Sequence, residues 1–358
     1  MLCWVAQVAG WLGSHSYLRG PLWHAHEMIF GFAFAVIAGF LFTAVRNWTS
    51  QPTPNGASLA AIAALWLSGR LLVVSPFPLF AAAADAAFAF AVAAGIAVPL
   101  YASRSRRNYF FVLLLLALGA ANLAFHLAMA GLIEFPVQRA LQAGLDVVLV
   151  VMAVIAGRVL PMFTANAVPG TQPRREPLIE GIALGSLVLI VAADLIPAPS
   201  VLFGLLAVVA ALSHAARLAL WKPWRTAHKP ILWILHASYA WIVIHLALRA
   251  LSAFELVAAS AAIHALTVGA IGGMTLGMMT RTARGHTGRP LETTAAETTA
   301  YVLVQLAAAT RVLLPIAVPS LYHQSVVVSG LLWTGAFAMF VWQFAPILWQ
   351  ARIDGRPG

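Results

Sequence analysis

Two imidazoles and a carboxylate fall within four positions in Trp23-His24-Ala25-His26-Glu27-Met28. They stand at the mouth of an apolar run, Met28 to Val45, that is long enough to belong to a membrane span once its flanks are included. Ionisable groups are costly in lipid, so this pair marks a functional site or a paired structural one. On a helix, His26 lies above Phe30 and Phe34, whereas Glu27 lies above Gly31, Ala35 and Gly39, small residues that let another helix come close. That surrounding suits a metal or haem site better than a lipid face.

Depth along the apolar runs sorts the other polar residues into two levels. His126 and His264 share the outer half with His24, His26 and Glu27, and these four histidines are expected to form one cluster that supplies a haem axial ligand and the ligands of a non-haem metal. Glu27 is the candidate proton group, with Asp146 in reserve. The alternative for Asp146 is a hydrogen bond to a neighbouring helix or an orienting role beside a ligand. His236 and His286 sit towards the other surface, with His245 nearer mid-membrane. His236 and His245 are nine residues apart, about 900° of helix rotation, so they cannot bind one ion together. Arg281 and Arg289, with His286 between them, and Arg158 at the end of an earlier helix could hold carboxylates such as haem propionates, or could simply anchor loops. Gly269, Gly273 and Gly277 form a seam for a neighbouring helix or a flat macrocycle, helix packing being the simpler reading. Arg70 and Asp85 straddle a turn through Pro76 and Pro78 and read as an ion pair across a helical hairpin. His15, His214, His228 and His323 read as solvated.

The elements that must position these groups follow from composition. Of 358 residues, 62% are hydrophobic and 9% charged, against roughly 45–50% and 25% in a soluble domain. The chain is therefore an all-α, polytopic membrane helix bundle, expected as a single transmembrane domain over residues 1–358. About twelve spans are expected, near 1–14 (short), 26–45, 58–75, 80–101, 109–132, 138–160, 178–198, 200–221, 231–253, 255–280, 299–318 and 323–349, with prolines between them. The formal charge of +10 is topological: Lys and Arg sit singly or in short loop clusters, with no aromatic-interleaved surface for nucleic acid. Arg46, Arg104, Arg106, Arg107, Arg174, Arg175, Lys222, Arg225, Lys229, Arg281, Arg284, Arg289, Arg352 and Arg356 all fall on one side, which makes that side cytoplasmic, the Trp23–Glu27 stretch external and both termini cytoplasmic. Cys3 is the one cysteine. An internal disulfide, a thiolate cluster and covalent c-type haem are excluded, leaving His, carboxylate or Met to hold any metal.

Several motifs together resemble the NnrS family of haem- and copper-containing membrane proteins linked to nitric oxide. They are Trp23 to Phe32 with Gly39 to Thr49, Asn122 to His126, Gly157 to Ala167, His236 to Trp241, and His264 to Pro290, spread over most of the chain. The resemblance implies a multi-pass protein of a bacterial inner membrane, with b-type haem and copper or another non-haem metal as cofactors. Nitric oxide would be its partner, and a quinol or a separate carrier its electron donor. It leaves open whether the protein reduces nitric oxide as an oxidoreductase in resistance to nitrosative stress, sequesters or senses it without turnover, or transports metal.

Overall fold

The computed structural model describes residues 1–13, 17–196 and 198–355, so the expectations placed on His15, Pro197 and Arg356 lie outside the described residues. The chain is 81% helical, and no strand occurs among the described residues. Among the described residues, eleven helices are long and apolar enough to cross a membrane. In chain order they are α2 (Gly20–Thr49), α3 (Gly56–Val73), α4 (Pro78–Ala102), α5 (Phe110–Met129), α6 (Val137–Ala167), α7 (Pro177–Leu195), α8 (Ser200–Leu220), α9 (Pro230–Ala253), α10 (Ala259–His286), α11 (Ala295–Ala317) and α12 (Tyr322–Leu348). Preceding them is α1 (Leu2–Val8), of seven residues. At 1.5 Å per residue it reaches about 10 Å, against an apolar core of about 30 Å. The segment expected to span over 1–14 thus does not cross by itself, and the cytoplasmic side expected for the first residues does not follow. Val5 packs instead over Gly330 of α12.

Punctuation residues set most boundaries. α2 ends at Ser50, whose left-handed backbone (φ 54°) turns the chain towards Pro52 and Pro54. Asn55 and Ser58 then cap α3 reciprocally. Pro78 opens α4 and Pro230 opens α9, where the missing N–H would be unbonded anyway. Pro161 does not end α6, which continues to Ala167 rather than stopping at 160.

Contacts divide the chain into two compact units, Gly13–Met152 with Asp194–Ile196, and Met1–Leu12 with Ala153–Ala193 and Pro197–Gly358. In the first unit α4 packs on α3 and α5 and lies against α2. Gly119 of α5 lets Ala89 of α4 in so closely that a Cβ there would stand 2.6 Å from the Ala89 methyl. In the second unit α9 packs on α8 and α10, and α11 on α12. The glycine seam of α10 is filled by α9: a Cβ on Gly269 would run into the Trp241 ring, one on Gly273 into Ser238, and one on Gly277 into Leu235 at 2.8 Å. The seam serves helix packing, not a macrocycle.

His214, expected to be solvated, is buried. Its Nε2–H donates to the Ala183 carbonyl (3.1 Å) and its Nδ1 accepts from the Tyr239 hydroxyl (2.6 Å). That oxygen accepts in turn from Arg217 Nη1 (2.9 Å), whose Nε and Nη2 form a bidentate pair with Glu180 (2.8 and 2.7 Å). With donors and acceptors matched around the ring, this chain of groups fixes the packing of α7, α8 and α9.

Two helices depart from α geometry, each directly after a histidine. In α2 the segment Glu27–Ala33 is π-helical and follows His26; in α10 the segment Ala265–Gly272 is π-helical and follows His264. A π turn inserts a residue into the α repeat and frees a carbonyl, a cost usually retained where function needs the shifted register. In α2 the Gly31 carbonyl accepts from Trp66 Nε1 of α3 (2.9 Å).

Candidate functional site

Three helices of the first unit bring His26, Asp85 and His126 together. All three side chains are at most 2% exposed, and one ligand atom from each lies within 4.8 Å of the others. Asp85 Oδ2 stands 3.1 Å from His126 Nε2 and 3.4 Å from His26 Nε2. Ligands held about 2.1 Å from a tetrahedral ion stand about 3.4 Å apart, so the group has the dimensions of a coordination edge. The His26 and His126 rings meet edge to face with centroids 4.9 Å apart, and Phe30 and Phe125 pack on His26 at 5.2 and 4.9 Å. Those aromatics keep lipid and water off the imidazoles.

Each ligand candidate is oriented by a second group. His26 Nδ1 lies 3.0 Å from Glu27 Oε1 and its Nε2 lies 2.9 Å from Asn122 Oδ1, so an oxygen holds the ring on either side. Asn122 and His126 sit four apart on α5 and so share a face. The Tyr17 hydroxyl lies 3.0 Å from His126 Nδ1, and burial, followed by the nearby Asp85 charge, pushes its pKa up to about 12, so it remains a neutral hydroxyl. Arg70 joins the carboxylates: Nη1 donates to Glu27 Oε1 (2.6 Å) and Nη2 to Asp85 Oδ1. Glycines make this junction possible, since a Cβ on Gly31 would come within 2.6 Å of Arg70 Nη1 and one on Gly69 would meet Asp85 Oδ1.

Charge and donor type both fit a metal. Two carboxylates, Glu27 and Asp85, meet one guanidinium, Arg70, and two imidazoles, so the buried group is rich in anionic oxygen that a cation would offset. Two imidazoles and one carboxylate, without thiolate or thioether, match a first-row ion such as copper, iron(II) or zinc.

The ion pair read between Arg70 and Asp85 is formed, but Asp85 also belongs to the metal-sized group, a role the sequence reading missed together with Tyr17 and Asn122. One signal was available: a carboxylate in the alanine run of α4 has to be neutralised by something. His24 is half-buried on α2, and its ring is outside the converging set. Asp146 is buried and its Oδ1 accepts from Gln142 Nε2 (2.7 Å); it too is outside the set. His264 belongs to the second compact unit, where its Nδ1–H donates to the Ser260 carbonyl (2.7 Å).

Among the remaining histidines of the second unit, His245 was given no role from sequence. It is fully buried, its Nδ1–H is held by the Ala262 carbonyl (2.8 Å), and its Nε2 has no hydrogen-bond partner. A ring anchored through one nitrogen with the other left bare is how proteins present a histidine to iron, and His264 is anchored in the same way. His236 bonds Thr164 Oγ1 through Nε2 (2.8 Å), and its buried Nδ1 has no partner. Of the basic groups foreseen for propionates, Arg281 lies over the Phe163 ring at 3.8 Å, His286 is exposed, and Arg289 reaches the Thr287 carbonyl at 3.5 Å. Arg284, the most buried of that segment, is committed to Glu297 through a bidentate pair (2.8 and 2.7 Å). Arg158 sits half-buried on α6.

Eleven membrane-length helices among the described residues, and in the first unit a buried centre of two histidines and a carboxylate, define a multi-pass membrane protein with a metal-sized site. The chain belongs to the NnrS family, whose model, described as NnrS protein, matches residues 1–352. No curated protein matches it. Membership supports a nitric oxide-related membrane protein in a family associated with metal and haem.

Proposed function

We propose that the protein binds nitric oxide at this buried centre and reduces it to N2O, as part of nitrosative-stress resistance in a bacterial inner membrane. The convergence of His26, Asp85 and His126 carries the reading. A non-haem metal, with copper implied by the family, and a b-type haem would supply the redox chemistry of 2 NO + 2 e⁻ + 2 H⁺ → N2O + H2O. Electrons would come from a membrane quinol or a separate carrier. His26, His126 and Asp85 would hold the ion, and His245 and His264 are the imidazoles anchored to serve haem iron.

The protein's own groups do the rest. Nitric oxide is small and apolar, so it concentrates in the bilayer and reaches the centre between helices. Phe30 and Phe125 exclude water. Glu27 Oε1 touches both His26 Nδ1 and Arg70, and its side chain is 20% exposed, so it can take a proton from outside and hold it beside His26.

Extracting purified protein with acidified organic solvent tests the haem, which no cysteine pair fixes covalently. Loss of the Soret band in His245→Gly, restored by added imidazole, is expected. Turnover is tested by N2O production from an artificial donor, which should be continuous and slowed in Glu27→Gln with the haem spectrum retained. N2O that stops at one equivalent would instead identify a sequestering protein, and iron without a Soret band would point to transport.

A further inference from the structure

Within the first unit, α3 turns one face inward, Trp66, Gly69, Arg70 and Val73, at the spacing i, i+3, i+4 and i+7. Gly69 and Val73 are buried and Trp66 and Arg70 half-buried, while Leu59, Leu67 and Leu71 are exposed where acyl chains would lie. The inward polar contacts of this helix end on the groups around the metal-sized centre. Gly69 lies against the Asp85 carboxylate, and Arg70 bridges Asp85 and Glu27. Trp66 reaches the same neighbourhood through the backbone of α2, its Nε1–H donating to the Gly31 carbonyl (2.9 Å).

The two contacts run in antiparallel register. Trp66 and Arg70 are four apart on α3, and their partners Gly31 and Glu27 are four apart on α2, so α3 grips the π segment Glu27–Ala33 at two points. Register matters at this place. His26 immediately precedes the π segment, whereas Phe34, Ile37, Ala38 and Leu41 just beyond it are buried and fix the rest of the helix. One residue of an α-helix is about 100° of rotation, so a π segment that relaxed to α geometry would swing the His26 ring away from Asp85 and His126 by about that angle. A carbonyl inside the segment, held by an indole from another helix, opposes the relaxation. Trp66 lies well inside an 18-residue span, where water does not compete for its N–H.

Resting on the reading of that centre as a metal site, we propose that Trp66 is a positioning residue: its N–H pins the π register of α2 that brings His26 to Asp85 and His126. The test uses the full chain in detergent, freed of metal and titrated with copper(II) against a competing chelator, the bound ion being read by electron paramagnetic resonance. Wild type should hold one copper that is lost in His126→Ala, which marks it as the ion of this centre. Trp66→Phe keeps an aromatic ring and removes the donor; it should weaken that copper about tenfold, the worth of one hydrogen bond, and change its hyperfine splitting. The metal-free variant should still elute as a single species, with Tm within about 5 °C of wild type. Trp66→Gln restores an N–H without adding a metal ligand and should keep the affinity within about threefold. Equal weakening in Trp66→Phe and Trp66→Gln overturns the proposal, because ring packing and not the N–H would then be at work. Where Trp66→Phe does not fold, Trp66→Gln decides alone, and a loss of about tenfold in it overturns the proposal. Unchanged affinity and splitting in Trp66→Phe overturn it too, with the metal reading intact. Copper that survives His126→Ala instead removes the metal reading and this role of Trp66 together.

Discussion

At the residue scale the buried centre works by coupling each ligand candidate to a partner that decides where its proton sits. Tyr17 is the clearest case. With the metal absent, its hydroxyl donates to His126 Nδ1 and the ring proton rests on Nε2, facing Asp85 Oδ2. Were His126 Nε2 to hold a metal, the ring proton would sit on Nδ1, where the Tyr17 oxygen could accept it. Removing such an orienting partner lowers metal affinity by about 10–100-fold, and Tyr17→Phe should do so in a copper or zinc competition titration. Alkaline stability provides a second readout. The Tyr17 pKa is raised from its ordinary 10.0 to about 12 by burial and by Asp85, so its contribution is complete below pH 10 and is lost as pH rises towards 12. In Tyr17→Phe that segment of the unfolding-versus-pH curve should flatten; an unchanged curve would show that Tyr17 ionises freely.

At the scale of an element, α2 shows how a glycine and a π turn together admit a charge. Gly31 lies in the π segment, and its missing Cβ leaves room for the Arg70 guanidinium between Glu27 and Asp85. Gly31→Ala should displace Arg70 and cost about 1–3 kcal/mol, as overpacked sites do. Gly39, one helical stretch further on, has nothing within 4 Å of an added Cβ, and there the same exchange should be neutral or stabilise by up to about 1 kcal/mol, since alanine suits a helix better. Thermal unfolding of the two variants in one detergent decides the matter, and equal Tm shifts would refute the role of Gly31. The second π segment, after His264, is filled from α9 by Trp241 at Gly269. The same local device therefore serves charge in one unit and packing in the other.

For the whole molecule, eleven crossings and the distribution of arginines predict a topology that can be read by labelling. In a Cys3→Ser background, Ser75→Cys in the turn between α3 and α4 should react with a membrane-impermeant thiol reagent from outside, whereas Gln51→Cys before α3 should react only after permeabilisation. The reverse pattern would invert the protein and place His26 near the cytoplasmic face.

Much of this architecture was legible in the residues themselves. Apolar runs of about twenty residues fix a helix in lipid because backbone groups there must bond within the segment, and so the spans, the family motifs and the cost of placing His26 and Glu27 at a helix mouth could all be read in sequence. Periodicity also put Gly31 beside Glu27, and the symmetric spacing of Arg70 and Asp85 about the prolines gave their ion pair. Tertiary structure alone decided which helices face each other. Asp85 lies 59 residues from His26 and 41 from His126 along the chain, and no local pattern encodes their meeting; it required α4 to pack on α2 and α5. The burial of His214, the bare Nε2 of His245 and the bond from Trp66 to Gly31 are likewise properties of neighbours, since an imidazole or indole has the same sequence signature whether its partner is water, a carbonyl or empty space.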